Sequence, residues 1–288
     1  MKEKKALKDL NLIDRFLFAE VMEDLQANQD VLSIILGRDI QLVSPPHTEK
    51  EHRISPLARS IRMDVFSRSE DGIVYDVEAQ NTYPTDLEKR SRYYQSLMDS
   101  SLLEAGAANY NQLNDSYIIV ITDYDIFGLG KYCYTFKAVC EENANLSLGD
   151  GAVRIFLNTR GTNGDEVPKE LVEFLHYMEN TTDRAAAETE SERIRRIQER
   201  VNRAKKSEAV GMRFMREIEE RNAAREEGRT EGIAQGRSES ILEVLENVGD
   251  VPENVKERIR SQKDEEVLIK WLLLAAKAES MEDFVKAM

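Results

Sequence analysis

The chain is poor in the residues that staple, kink or anchor a fold. It has two cysteines, six prolines, one tryptophan and three histidines in 288 residues. Two thiols, Cys133 and Cys140, build no disulfide framework. They would fall on opposite faces if 132–141 is one strand, and they read as reduced structural residues of a cytosolic protein. His47, His52 and His176 share no ligand spacing, which argues against a histidine-based metal centre. No uninterrupted apolar span approaches the roughly 18 residues that cross a bilayer. The first 20 residues hold no apolar run of signal-peptide length. The expectation is therefore a soluble, cytoplasmic protein with no membrane partner. A basic excess is missing too: 40 Lys and Arg face 54 Asp and Glu, for a net charge of −14. Residues 1–180 carry 19 basic and 30 acidic side chains, a net of −11, and residues 181–288 carry 21 and 24, a net of −3. Strong non-specific binding to a polyanion draws on clustered Lys and Arg, so this balance argues against it.

What is present is concentrated between residues 61 and 80. Ile61, Met63 and Val65 alternate with Arg62, Asp64 and Phe66; Ile73, Tyr75, Val77 and Ala79 alternate with Val74, Asp76, Glu78 and Gln80. Each run reads as a half-buried strand. The polar stretch between them ends in Asp71-Gly72, a hairpin signal. Keeping both apolar sets on one face requires odd positions to pair with odd, so the hairpin centres near Asp71 with an odd-numbered loop. That register places Asp64 opposite Glu78. Two carboxylates about 4.5 to 5.5 Å apart at Cβ destabilise a hairpin unless a positive charge lies between them. A divalent cation would remove the conflict, and an all-oxygen donor set suits Mg²⁺ or Mn²⁺ better than Zn²⁺. Gln80 shares the face of Glu78, where its amide could orient a water or a phosphate oxygen. On spacing alone, a solvated face of an ordinary hairpin explains the same residues equally well.

The order of the surrounding segments is more specific. Leu12-Ile13-Asp14-Arg15-Phe16-Leu17-Phe18, then Ile61-Arg62-Met63-Asp64-Val65, Val77-Glu78-Ala79-Gln80, Lys89-Arg90-Ser91-Arg92-Tyr93-Tyr94 and Tyr117-Ile118-Ile119-Val120-Ile121 follow one another along the chain. This set resembles the PD-(D/E)XK nuclease family transposases, also described as recombination-promoting nucleases, over roughly residues 10 to 165. The resemblance implies a restriction-endonuclease-like α/β fold, a mixed sheet flanked by helices. It implies a metal-dependent DNA endonuclease that hydrolyses phosphodiester bonds and promotes recombination or serves mobile DNA. Asp64 and Glu78 would bind Mg²⁺, with Mn²⁺ able to replace it, and Gln80 and Asp14 would complete the catalytic set. Glu20 is the other acid on the first helix that could aim at the metal, and Asp14 could equally cap that helix. The chain departs from the superfamily at Gln80, which stands where a Lys is usual; a neutral amide holds a water but supplies no positive charge. Lys89, Arg90 and Arg92 on the following helix are the candidates to supply that charge and to contact DNA, with Arg53, Arg59 and Arg62 as further members of a basic face. The alternative is a catalytically degenerate nuclease fold that acts as an interaction or assembly module. No DDE-type integrase pattern is visible.

Elsewhere the periodicity predicts a helix over 11–36, a strand over 39–43, a loop over 44–56, and a helix from a Thr85/Glu88 capping box to about Leu103. Buried strands are predicted over 116–122, 131–139 and 153–158. Three parts are expected: a nuclease-like domain over 1–180, a long charged helix or coiled coil over 181–238, and a small helical region over 239–288 with Trp271-Leu272-Leu273-Leu274 at its core. Ile194, Ile197, Val201, Ala204, Gly211, Met215 and Ile218 supply the heptad-like spacing. Gly228, Gly232 and Gly236 fall on one helix stripe suited to close packing. A homodimer through the C-terminal helices is the expected assembly.

Overall fold

The computed structural model describes residues 5–52, 61–82, 86–103 and 109–288, without the side chains of 47–52 and 61–64. The chain divides into two compact units, Met1–Met212 and Arg213–Met288.

The first unit is built on a six-stranded sheet of order β1-β2-β3-β4-β6-β5. Its strands are β1 (His47–His52), β2 (Ile61–Arg68), β3 (Val74–Gln80), β4 (Ser116–Thr122), β5 (Cys133–Phe136) and β6 (Ala152–Asn158). β3, β4 and β6 run parallel, and β1, β2 and β5 are antiparallel to their neighbours. The mixed sheet flanked by helices is the expected fold class. The β2–β3 ladder pairs Val65 with Val77 and Arg68 with Val74, which centres the hairpin on Asp71. An odd loop closes it, with Ser69 and Ile73 joined by a 2.9 Å backbone bond and Gly72 at φ 84°. That left-handed position explains the glycine.

The second strand of the hairpin differs from expectation. β3 is buried on both faces, from Val74 to Ala79, because β4 pairs on its other side and helices cover both surfaces of the sheet. One face carries Phe66, Val74, Ile118, Val120 and Phe156 beneath α3 (Leu87–Leu102), whose Leu87, Tyr94, Leu97 and Met98 complete the cluster. Each such side chain contributes about 1.5–3 kcal/mol of transfer free energy. Thr85, half of the expected capping box, lies outside the described residues. The opposite face buries Tyr75, Val77, Ile119, Ile121, Ile155 and Leu157.

On that side the expected single helix over 11–36 is two helices, α1 (Arg15–Met22) and α2 (Leu25–Leu36). Asp24 ends the first and caps the second by accepting from Ala27 N at 3.0 Å. Gly37, at φ 64°, stops α2 as expected. The strand expected over 39–43 is reduced to one bridge, Leu42 with Ser69, and the edge strand lies instead at β1, inside the segment expected to be a loop.

The segment 181–238 is three helices rather than one: α5 (Asp183–Glu188), α6 (Glu192–Lys206) and the start of α7 (Glu208–Glu246), with α4 (Lys169–Glu179) before them. Ile194, Ile197, Val201 and Ala204 are buried, so the heptad-like spacing marks the core face of α6. That helix is clamped to α2 and its surroundings by Arg193 to Asp39 and Glu170, and by Arg196 to Asp30. Ser207 is extended and accepts from Val210 N, which breaks the helix and restarts it.

In the second unit, the C-terminal part of α7 joins α8 (Glu253–Ser261), α9 (Glu265–Ala275) and α10 (Met281–Ala287) around Ile241, Leu245, Ile259, Leu268, Trp271 and Phe284. Trp271 belongs to this core as expected, but Leu273 points outward and is 57% exposed. Gly228, Gly232 and Gly236 do not mark a packed stripe: a Cβ at any of them would meet nothing within 4 Å.

Candidate active site

The parallel register sets Gln80, Thr122 and Asn158 side by side at the C-terminal ends of the three central strands. Two of the three are spent on backbone. Thr122 Oγ1 donates to the carbonyls of Tyr124 and Leu157 at 2.6 and 3.1 Å. Asn158 bonds the Lys131 carbonyl at 3.2 Å and the Arg160 amide at 2.9 Å. Only β3 presents a polar side chain with chemistry to offer, because its alternation puts Asp76, Glu78 and Gln80 on one face, toward α3.

Glu78 is the centre. Its side chain is 3% exposed, and the Arg90 guanidinium donates to Glu78 Oε2 at 2.6 Å. The same Nη2 reaches Gln80 Oε1 at 3.2 Å. The guanidinium stands 5.3 Å from the centroid of the Tyr94 ring, one helical turn further along α3. A buried carboxylate is costly unless paired with charge and hydrogen bonds, so this contact makes Glu78 tolerable inside the sheet. Gln80 also donates to Thr82 Oγ1. Of the three cations expected on this helix, Arg90 is the one the structure brings to the strand; Lys89 and Arg92 are exposed, and among the described residues neither carries an ion pair.

Asp64 lies on β2. The next step of the ladder after Val65 and Val77 sets its backbone across from Glu78. Its side chain lies outside what is described, as do Arg53, Arg59 and the side chain of Arg62. Asp14 occupies the first position before α1 but does not cap it. Its carboxylate accepts from Asn11 N at 2.8 Å and from Asn81 Nδ2 at 2.9 Å, with Lys5 at 3.7 Å. Asp14 is thereby tied to the residue that follows Gln80. Glu20 is buried on α1.

Two residues here escaped the sequence reading. Asp76 is completely buried on the face of Glu78, and the strand alternation alone marked it. Tyr94, four residues after Arg90, was read simply as core; the i, i+4 spacing was the available signal for its cation–π contact.

The donor set around Glu78 is hard oxygen: two carboxylates by register and one amide. A carboxylate already compensated by a cation is a position that a hard divalent ion fits. Among the described residues no three His, Cys, Asp or Glu side chains cluster as a metal site, which leaves Asp64 as the needed partner. The basic side chains at the same end of the sheet are largely neutralised: Arg160 lies 2.9 Å from Glu179 and 3.7 Å from Asp123, and Lys131 lies 2.7 Å from Glu166. Among the described residues no helix is long and apolar enough to cross a membrane.

No curated protein and no solved structure matches the chain. A family's sequence model does, over residues 14–226, which contain α1, the whole sheet and α6. With a carboxylate, an amide and a cation gathered at the end of the central hairpin, and nearly three quarters of the chain matched, the protein belongs to the PD-(D/E)XK nuclease family transposases.

Proposed function

We propose that this protein is a Mg²⁺-dependent DNA endonuclease whose site is Asp64, Glu78, Gln80 and Arg90, with Mn²⁺ able to replace Mg²⁺. The observation that carries this reading is the contact of one guanidinium with both Glu78 and Gln80, because it supplies the positive charge that Gln80 lacks as a substitute for Lys. Asp64 and Glu78 would hold the cation; when bound, it lowers the pKa of a water and offsets charge on the phosphorus. Gln80 orients that water through its amide, and Arg90 stands where a phosphate oxygen would approach. Asp14 holds the start of α1 to the end of β3 through Asn81 and assists by fixing that edge. Lys89 and Arg92 lie exposed on the same helix and contact the DNA backbone. With a net charge of −14, binding without the cation is weak.

Supercoiled-plasmid cleavage with EDTA, Mg²⁺ and Mn²⁺ tests this. Cutting that needs the metal and disappears in both Asp64→Ala and Glu78→Ala is the expected result. Equal cutting by wild type and variants would assign the activity elsewhere; no cutting and no metal-induced rise in melting temperature would favour the degenerate interaction module. Cytoplasmic location and a link to recombination or mobile DNA belong to the same proposal.

The proposed homodimer uses α9. Ile269 and Leu273, 40% and 57% exposed, lie on the side of the helix away from Leu268 and Trp271. Glu265 and Glu266 open this helix and Lys277 follows its end, so an antiparallel pair of copies sets acid against base. Sedimentation velocity should show the wild type as a dimer at micromolar concentration and Leu273→Glu as a monomer. An unchanged profile would remove α9 from the interface.

A further inference from the structure

Arg90 does more than stand near the site. Its Nη2 shares one proton-donating edge between Glu78 Oε2 at 2.6 Å and Gln80 Oε1 at 3.2 Å, and its guanidinium lies over Tyr94. Glu78 is nearly sealed from solvent while Arg90 keeps 26% of its side chain exposed. The pair is therefore asymmetric: the carboxylate is fixed in the central strand, and the cation sits on a long side chain at the rim with room to move. A guanidinium and a divalent ion drawn to one carboxylate repel each other, and the low dielectric around a buried strand strengthens both effects.

We propose that Arg90 is a positioning residue that holds the Glu78 carboxylate charged and aimed until a divalent cation takes it, and that Arg90 then yields Glu78 while keeping its place beside Gln80. This rests on the endonuclease reading of the same site. Three features of the contact support it. Charge is conserved: a buried carboxylate has a cation at every stage, so the site never carries an uncompensated buried charge. A second acceptor, Gln80, waits on the same strand face, so losing Glu78 leaves Arg90 with a partner. The Tyr94 ring offers a surface along which a planar guanidinium slides without losing its cation–π contact.

The consequence is an opposition between metal affinity and turnover. Removing the Arg90 charge removes the competitor for Glu78, and removes with it the charge beside Gln80 that a scissile phosphate would meet. Calorimetric titration of Mn²⁺ into the full chain without DNA, at pH 8, should show Arg90→Met binding the ion about tenfold more tightly than wild type. Cleavage at saturating Mn²⁺ should fall by about ten- to a hundredfold in the same variant. Arg90→Lys, which keeps the charge but not the fork, should restore wild-type Mn²⁺ affinity and part of the cleavage. Melting temperatures of both variants check that they are folded. If wild type binds Mn²⁺ and Arg90→Met binds it equally or more weakly, the competition is wrong while the endonuclease reading stands. Tighter binding with unchanged cleavage would overturn the role beside Gln80. Absence of Mn²⁺ binding by wild type would overturn the endonuclease reading, and this inference with it.

Discussion

The two units solve the problem of burial in opposite ways. The C-terminal unit, Arg213–Met288, closes on an apolar core from Ile241 to Phe284, and its one buried polar residue among those described is Ser238, which donates to the Ile259 carbonyl at 3.1 Å. The sheet unit buries Asp30, Asp76 and Glu78 outright, with Gln95, Thr122 and Asn158 beside them in the core. Each of those ionised groups costs free energy unless a partner is built for it. Arg196 grips Asp30 with both ends of its guanidinium, at 2.6 and 2.9 Å, and Arg90 serves Glu78. The difference teaches where to look for chemistry: a unit that needs only stability uses aliphatic packing, and a unit that keeps carboxylates inside is preserving something they do.

The largest expected effect separates the two purposes. Glu78→Ala should lower DNA cleavage by at least about a thousandfold, equivalent to roughly 4 kcal/mol of lost transition-state stabilisation. It should shift the melting temperature of the sheet unit by only a few degrees, because Arg90, already at the rim, can turn to water. A variant that loses cleavage by unfolding, seen as a lost calorimetric transition, would erase the distinction. The converse experiment is Ile259→Ala. Ile259 is fully buried in the helical unit, and the truncation should cost that unit about 2–5 kcal/mol. The expected outcome is a lower melting transition for the C-terminal unit with plasmid cleavage retained. A single shared transition, falling together with cleavage, would show that the units do not stand apart.

Much of this architecture was legible in the chain, and the failures have a common cause. The hairpin centre followed from alternation and Asp71-Gly72, since a one-residue slip would turn every apolar side chain outward. The continuous apolar run from Tyr117 to Ile121 gave β4, and Gly37 marked the end of α2. Where the reading failed, tertiary partners decided what local pattern could not. β1 has the sequence His-Thr-Glu-Lys-Glu-His, which has no apolar alternation, and it is a strand because β2 offers it an edge. The heptad-like spacing of α6 described a helix with one apolar stripe, and nothing in 3.5-residue spacing says whether that stripe meets a second copy or the chain's own core. At the site, Asp64, Glu78 and Gln80 were legible from strand alternation and family resemblance. Choosing Arg90 over Lys89 and Arg92 required the helix phase relative to the sheet, which only the packing of Leu87, Tyr94 and Leu97 fixes.

The smallest effect in the comparison is its pH dependence. In the sheet unit, burial works to raise the Glu179 carboxyl, but hydrogen bonds from Arg160 and Thr159 outweigh it and hold the group below its ordinary value of 4.5. A carboxylate with a depressed folded pKa contributes stability that is fully present above its unfolded pKa and lost as pH falls through the folded one. The sheet unit should therefore weaken below about pH 4.5, and Glu179→Gln should flatten that acid limb by about 1 kcal/mol or less, since Arg160 is well exposed. In the second unit the comparable case, Glu226 lowered by Arg229, is fully exposed, and solvent screens the pair. Glu226→Gln should leave the acid melting of the helical unit unchanged. Equal flattening by the two substitutions would mean that long-range net charge, rather than the Arg160–Glu179 contact, governs acid sensitivity.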